Sequence, residues 1–108
     1  MREIKFRAKC LLLGRWMYGY YHATKNNHYI NSTKIDPETV GQSTGLKDKN
    51  GKDIYEGDIV ITDECGWIGH VVYGTDMYYV EDGVGGFASY CNWNNYEVIG
   101  NIHDGVAE

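Results

Sequence analysis

The stretch from Val40 to Val60, VGQSTGLKDKNGKDIYEGDIV, constrains the fold most, because it combines closely spaced turn residues with strand-like flanks. Asn50-Gly51 predicts a two-residue type I′ turn, since both residues tolerate the positive φ which that turn needs. Gly57, between two short apolar runs, predicts a second reversal of the chain. The stretch therefore indicates a turn-rich entry into a small β-domain, with Lys47-Asp48-Lys49 at a polar, solvated tip.

The composition favours strands and turns over helices. Ten tyrosines, three tryptophans and fourteen glycines accompany a single proline in 108 residues, a mixture typical of β-proteins. The short strands that we predict between residues 55 and 102, separated by turns, indicate a small SH3-like bent barrel. We expect a mainly β fold in two parts. An N-terminal β-hairpin arm and loop occupy residues 1–39, and a turn-rich segment leading into the barrel occupies residues 40–108.

Three segments together resemble the YopX family of small proteins, which are encoded mostly by phages and prophages. They are the Val40–Val60 stretch, the opening MREIKFRA at Met1–Ala8 and the closing YEVIGNI at Tyr96–Ile102. The resemblance implies a phage-encoded protein and brings no catalytic residue with it. The apolar run Cys10–Leu13 departs from the acidic or polar segment that is usual at this place in the family.

A basic strand is the first candidate site. The formal net charge of −5 argues against a protein that binds nucleic acid through the phosphate backbone alone, because such proteins are basic. The strand predicted at Ile4–Ala8 nevertheless alternates apolar with basic residues. We interpret its basic side either as a solvated strand face or as a contact for an anionic ligand. The residues of this predicted anion site are Lys5, Arg7, Lys9 and Arg15.

A protein-binding surface is the second candidate site. Trp93 lies in a polar turn, and we interpret it either as an interface anchor or as a side chain that folds back over one end of the barrel. The strand at Trp16–Tyr21, in which Gly19 predicts a bulge or a close backbone approach, supplies aromatic side chains for the core or for stacking. The predicted partner-binding residues are Trp93, Asn92, Asn94, Asn95, Glu81, Asp82 and Tyr20.

The sequence contains no motif that indicates an enzyme, a cofactor or a metal site. Its three cysteines are widely spaced and form no CxxC pair, so they predict neither a disulfide framework nor a zinc site. Cys91 with His70 or His103 has no supporting local motif. The adjacent acids at Asp63-Glu64 and Glu81-Asp82 lie in predicted turns, where they face solvent. We therefore predict a non-enzymatic binding protein without cofactor or metal.

Two functions are compatible with these observations. The first is a phage-encoded, non-catalytic protein that modulates or inhibits a host protein, such as a defence or nucleic-acid-processing enzyme, through an acidic and aromatic surface. The alternative is a module for nucleic acid or a nucleotide ligand, in which the basic strand meets phosphate and tyrosines stack.

A homo-oligomer is compatible with either function, because the apolar run Cys10–Leu13 invites pairing between copies. The sequence shows neither a signal peptide nor an apolar run of membrane-spanning length. It therefore predicts a cytoplasmic location in the host cell, without membrane contact.

Overall fold

The computed structural model describes residues 5–62, 66–73, 77–84, 87–88 and 93–106. Strands make up 57% of these residues and none of their helices reaches seven residues, which confirms the predicted mainly β class. The described strands form three antiparallel sheets and no closed barrel, so the SH3-like bent barrel is not confirmed. The chain divides into two compact units, residues 1–43 and 44–108, whereas the sequence predicted a boundary after residue 39.

The first unit contains two groups of paired strands. Strand β1 is central in the first group, since it pairs antiparallel with both β2 and the beginning of β6. Strands β3, β4 and β5 form a separate three-stranded sheet. Asp36 caps a short 3₁₀ turn, Pro37–Thr39, by accepting the N–H of Glu38 at 3.0 Å. The strands are β1 (Phe6–Lys9), β2 (Trp16–Gly19), β3 (Tyr21–Ala23), β4 (His28–Ile30), β5 (Thr33–Lys34) and β6 (Gly41–Lys47).

Three aliphatic side chains form the core of the first unit. Ala8, Ile30 and Ile35 are at most 1% exposed. Because side chains alternate along a strand, Ala8 faces this core while its basic neighbours in sequence face the other way. Each buried isoleucine contributes about 1.5–3 kcal/mol, so this small core depends on both of them. The partly buried residues around it are Phe6, Met17, Tyr21 and Val40.

The second unit contains the remainder of β6 and seven further described strands. Strands β8 to β11 follow one another as antiparallel neighbours, and β12 then returns, after a 3₁₀ turn, to pair with β8. The last long strand, β12, therefore pairs with the first strand of this sheet, β8, as it would in a barrel. Among the described residues, β11 and β13 nevertheless remain edges of the sheet, so the barrel does not close. The strands are β7 (Asp53–Tyr55), β8 (Asp58–Thr62), β9 (Ile68–Tyr73), β10 (Tyr78–Glu81), β11 (Phe87–Ala88), β12 (Tyr96–Asn101) and β13 (Gly105–Val106).

The second unit has its own, larger core. Val60, Val71 and Val80 come from three adjacent strands and are fully buried. Valine suits such positions because its branched side chain packs well on a pleated surface. The other buried members are Ile54, Tyr96 and Val98, and the partly buried Trp67, Tyr78 and Trp93 pack against them.

Candidate functional site

The loop between β6 and β7 is built around the side chain of Asp48. This carboxylate is 4% exposed, and its Oδ1 accepts the backbone N–H groups of Asn50 and Lys52, each at 2.9 Å. Its Oδ2 accepts the N–H of Val98 in β12, also at 2.9 Å. Gly51 has a φ of 81°, whereas Asn50 does not have a positive φ. The predicted type I′ turn is therefore wrong. The predicted solvated position of Asp48 is also wrong, because its side chain is buried and accepts three backbone N–H groups.

The pKa of Asp48 makes the stability of this loop depend on pH. Burial alone would raise that pKa, but the N–H groups of Val98, Lys52 and Asn50 and the charge of Lys52 lower it below the ordinary value of 3.8. A carboxyl whose pKa is lower in the folded than in the unfolded chain stabilises the fold fully above its unfolded pKa. That contribution is lost as the pH falls through the folded pKa.

We therefore expect the free energy of unfolding to decrease as the pH falls below about 4, measured by urea unfolding at a series of pH values. The variant Asp48→Asn should lose less stability over the same pH interval, because its side chain does not titrate. An equal loss in both proteins would show that other carboxyl groups cause the acid sensitivity.

Other polar residues of the Val40–Val60 stretch also have structural roles. The hydroxyl of Thr44, which is 6% exposed, donates to the carbonyl oxygen of Ile54 at 2.8 Å. Asp58 is 1% exposed, and its Oδ2 accepts the N–H of Tyr55 at 2.7 Å. Buried polar groups with such partners hold the backbone in place. Thr44, Asp48 and Asp58 therefore help to maintain the local fold of this stretch.

The basic strand does not present its cations as one open row. Arg7 is 6% exposed, and its guanidinium carbon lies 4.8 Å from the ring centroid of Trp16. Lys9 is directly opposite Trp16 in the β1–β2 ladder, with its Nζ 5.5 Å from the same ring. These are cation–π contacts. Lys5 and Arg15 are exposed, so the predicted anion site keeps these two cations accessible while Arg7 is covered.

Trp93 lies in the 3₁₀ turn Trp93–Asn95 before β12. It is half-buried, packs against the second core, and its ring centroid is 5.7 Å from that of Tyr96. This position matches the interpretation in which the side chain folds back onto the sheet. Asn94 is exposed and Asn95 half-buried in the same turn. Asn92 lies outside the described residues.

The remaining predicted partner-binding residues are divided between the units. The Oε1 of Glu81 lies 3.4 Å from the Nε2 of His70. Asp82 accepts the indole N–H of Trp67 at 3.1 Å, so it supports that side chain. Tyr20, which is 60% exposed, belongs to the first unit. A partner role for these residues stays a prediction.

A groove of about 470 Å³ opens on the first unit, and sequence analysis did not predict it. His22 and Tyr29 are directly opposite each other in the β3–β4 ladder, with ring centroids 5.5 Å apart. Asn31 and Ser32 connect β4 to β5 with φ values of 50° and 71°, as a tight hairpin turn requires. In the sequence, the Asn31-Ser32 pair was the feature that could have indicated this turn. The lining residues are Tyr20, His22, Thr24, Tyr29, Asn31 and Ser32.

A side-chain amide lies close to Gly19, where the sequence predicted a bulge or a close backbone approach. A Cβ at this position would lie 2.4 Å from the Nδ2 of Asn31, and the φ of Gly19 is 152°. The same Nδ2 donates to the carbonyl oxygen of Tyr18 at 3.0 Å. The absence of a side chain at Gly19 therefore lets the Asn31 amide lie against β2.

Three consecutive leucines form an exposed apolar tip between β1 and β2. Leu11, Leu12 and Leu13 are 60%, 88% and 65% exposed. Adjacent apolar side chains in contact with water favour association with another surface. Pairing between copies through this tip stays a prediction.

Charge is distributed unequally between the two units. Residues 1–43 contain seven Lys and Arg against three Asp and Glu, whereas residues 44–108 contain three against twelve. The net charge of −5 therefore combines a positive first unit with a strongly negative second unit. The two units therefore present electrostatic surroundings of opposite sign to charged molecules.

The described part of the chain has neither a cluster of metal ligands nor a helix of membrane-spanning length. It contains no group of three or more His, Cys, Asp or Glu residues placed to hold a metal ion. None of its helices is both long enough and apolar enough to cross a membrane. Cys10 is a buried free thiol, whereas Cys65 and Cys91 lie outside the described residues.

These features define a small, two-unit antiparallel β-protein in which Thr44, Asp48 and Asp58 hold the backbone of the Val40–Val60 stretch. Residues 14–106 match the sequence profile of a known family, described as "YopX protein". The chain therefore belongs to the YopX family. No curated protein matches the sequence.

The fold is similar to that of a solved protein. The crystal structure of protein EF1440 from Enterococcus faecalis superposes with a TM-score of 0.59 and 22% sequence identity, covering 95% of each chain. At this level of identity the likeness concerns the fold alone.

Proposed function

We propose that this YopX-family chain is a phage-encoded, non-catalytic binding protein that modulates or inhibits a host protein. The supporting observation is the concentration of twelve Asp and Glu against three Lys and Arg in residues 44–108. An acidic surface attracts a basic partner and accelerates its association. A host enzyme that handles nucleic acid carries a basic surface, so the proposed partner is such an enzyme, including one with a defence role.

The proposed contact uses exposed carboxylates of the sheet formed by strands β8 to β13. The side chains of Glu81 and Glu97 are 37% and 41% exposed. Glu81 lies 3.4 Å from His70, and Glu97 lies 3.6 Å from Lys49. Exposed pairs of this kind contribute at most about 1 kcal/mol. A guanidinium from a basic partner, which binds a carboxylate through two parallel hydrogen bonds, can therefore replace them.

Affinity capture from nuclease-treated host-cell lysate, followed by mass spectrometry, tests the proposal. We expect one discrete partner that persists after nuclease and is released by salt, because exposed charges are screened. With the purified partner, Glu81→Gln and Glu97→Gln should each weaken binding up to about fivefold in calorimetry.

The matched control is Glu38→Gln, which removes one negative charge from an exposed position of the first unit. It should leave the affinity unchanged. Recovery of chaperones only, or equal weakening by all three variants, would contradict a specific contact through the second unit.

The alternative, a module for nucleic acid or a nucleotide, is favoured by a different observation. The first unit carries seven Lys and Arg against three Asp and Glu. Arg7 is buried under Trp16 and is therefore not accessible to a phosphate. This weakens the form of the alternative in which the basic strand binds the phosphate. Recovery of partners that disappears with nuclease would favour the alternative over the host-protein proposal.

A further inference from the structure

The outer face of the three-stranded sheet carries a row of side chains that the first core does not use. His22 in β3 is opposite Tyr29 in β4, which is opposite Lys34 in β5. Opposed residues on adjacent strands share a face, with Cβ atoms about 4.5–5.5 Å apart. The adjacent pair, Tyr21 opposite Ile30, faces the core. Two aromatic rings and one ammonium group therefore follow one another on the outer face.

The groove beside this row has the size and lining of a small-ligand site. Its volume of about 470 Å³ falls within the range of about 300–1,000 Å³ typical of ligand pockets. Tyr20 is 60% exposed and Tyr29 is half-buried, so both offer ring surface. Thr24, Asn31 and Ser32 add hydroxyl and amide groups. A planar ligand with a hydrogen-bonding edge fits this combination.

The charge around the groove favours an anionic ligand. None of the six lining residues is a carboxylate, although the chain has a net charge of −5. Lys34 is exposed, and no carboxylate of the described residues forms an ion pair with it. Lys25, also exposed, directly follows the lining residue Thr24. A phosphate group supplies the charge that these two cations attract.

The wall formed by the β4–β5 turn is held in place by the fold. The Asn31 amide donates to the carbonyl oxygen of Tyr18 and lies against Gly19. Asn31 and Ser32 both have positive φ values, which the surrounding strands maintain. A wall that is already ordered reduces the entropy lost when a ligand binds.

From these observations we propose that the groove binds one nucleotide. The base stacks on the rings of Tyr20 and Tyr29, and Lys34 meets the phosphate. The nucleotide is either free or part of a single strand, since both offer the same base and phosphate. This site is separate from the acidic surface of the second unit and does not depend on the host-protein proposal.

Titration of the purified full chain with 5′-AMP, followed by calorimetry and by backbone NMR, tests the proposal. We expect shifts at His22, Tyr29 and Ser32. Tyr20→Ala and Tyr29→Ala should each raise the Kd by about fivefold or more, the range measured for one base–aromatic contact. Tyr73→Ala, which removes a tyrosine of similar exposure (57%) from the second unit, should leave the Kd unchanged.

Two further ligands separate the base from the phosphate. Ribose 5-phosphate, which lacks the base, should bind more weakly than 5′-AMP. Lys34→Gln should weaken binding of 5′-AMP but not of adenosine. A short single-stranded oligonucleotide that binds more tightly than 5′-AMP would identify a strand as the source of the nucleotide, and equal or weaker binding would identify the free form.

The proposal is overturned if 5′-AMP does not bind at low salt, or if ribose 5-phosphate binds as tightly. Equal weakening by Tyr73→Ala and the groove variants would overturn it as well. Tyr29→Phe keeps the ring and should retain the affinity, and thermal unfolding of each variant distinguishes loss of the site from loss of the fold.

Discussion

Replacement of Asp48 by asparagine is expected to lower the free energy of unfolding by about 3 kcal/mol. One carboxylate accepts two N–H groups of its own loop and the N–H of Val98, which lies 50 residues later. The side-chain amide of asparagine has a single acceptor oxygen, so it can accept either from the loop N–H groups or from the N–H of Val98. Its NH₂ group then faces an N–H donor with which it cannot form a hydrogen bond. Each hydrogen bond to a charged acceptor contributes about 1.5–3 kcal/mol, and an unpaired buried donor adds a penalty.

Urea unfolding at neutral pH, followed by tryptophan fluorescence, measures this loss. The matched control is Asp53→Asn, an exposed acid of the same hairpin whose Oδ1 lies 2.8 Å from the Nζ of Lys47. An exposed ion pair contributes at most about 1 kcal/mol, so the control should change stability little. Similar losses in the two variants would mean that the bond from Asp48 to Val98 does not stabilise the second unit.

Replacement of Gly69 by alanine is expected to destabilise the second unit by about 2 kcal/mol. Backbone strain is not the reason, because the φ of Gly69 is not positive. A Cβ at this position would lie 2.6 Å from the Cγ1 of Val80 and 2.8 Å from the carbonyl oxygen of Glu81. Val80 is fully buried and the Glu81 oxygen belongs to the backbone of β10, so neither can yield without moving the strand.

Thermal unfolding of Gly69→Ala beside Ile68→Val tests this expectation. Ile68 is the preceding residue in β9 and is 48% exposed, so removing one methyl group there should change stability by at most about 0.5 kcal/mol. A Gly69→Ala variant as stable as the control would show that β9 and β10 can separate at this point without cost.

Local sequence patterns predicted features that depend on the preferences of neighbouring residues, such as strand β1. The alternation at Ile4–Ala8 predicted a strand, and β1 is found at Phe6–Lys9. Gly19, within an aromatic strand, predicted a bulge or a close backbone approach, and the group that approaches it is the side-chain amide of Asn31. Asn50-Gly51 was misleading, since its intrinsic turn preference is weaker than the three hydrogen bonds through which Asp48 shapes the loop.

The candidate sites were less predictable because they combine side chains from separate elements. Tyr20 was singled out for stacking, but Lys34 was not, because the ladder that places it opposite Tyr29 is not visible in sequence. Trp93 was interpreted in two ways; it packs against the core of the second unit but is only half-buried, so its partner role stays a prediction. Arg7 was expected on an open face, and the pairing of β1 with β2 brings Trp16 over it.

The sequence by itself determined the mainly β class, the YopX membership and the strong use of aromatic residues, because these depend on residue type, order and spacing. Only the tertiary structure decided which polar side chains are buried and which surfaces remain open. Burial depends on contacts between residues far apart in the chain, such as Asp48 with Val98, which no local pattern contains. The same reason applies to the groove on the first unit, whose rings and cation face one another only after three strands have paired.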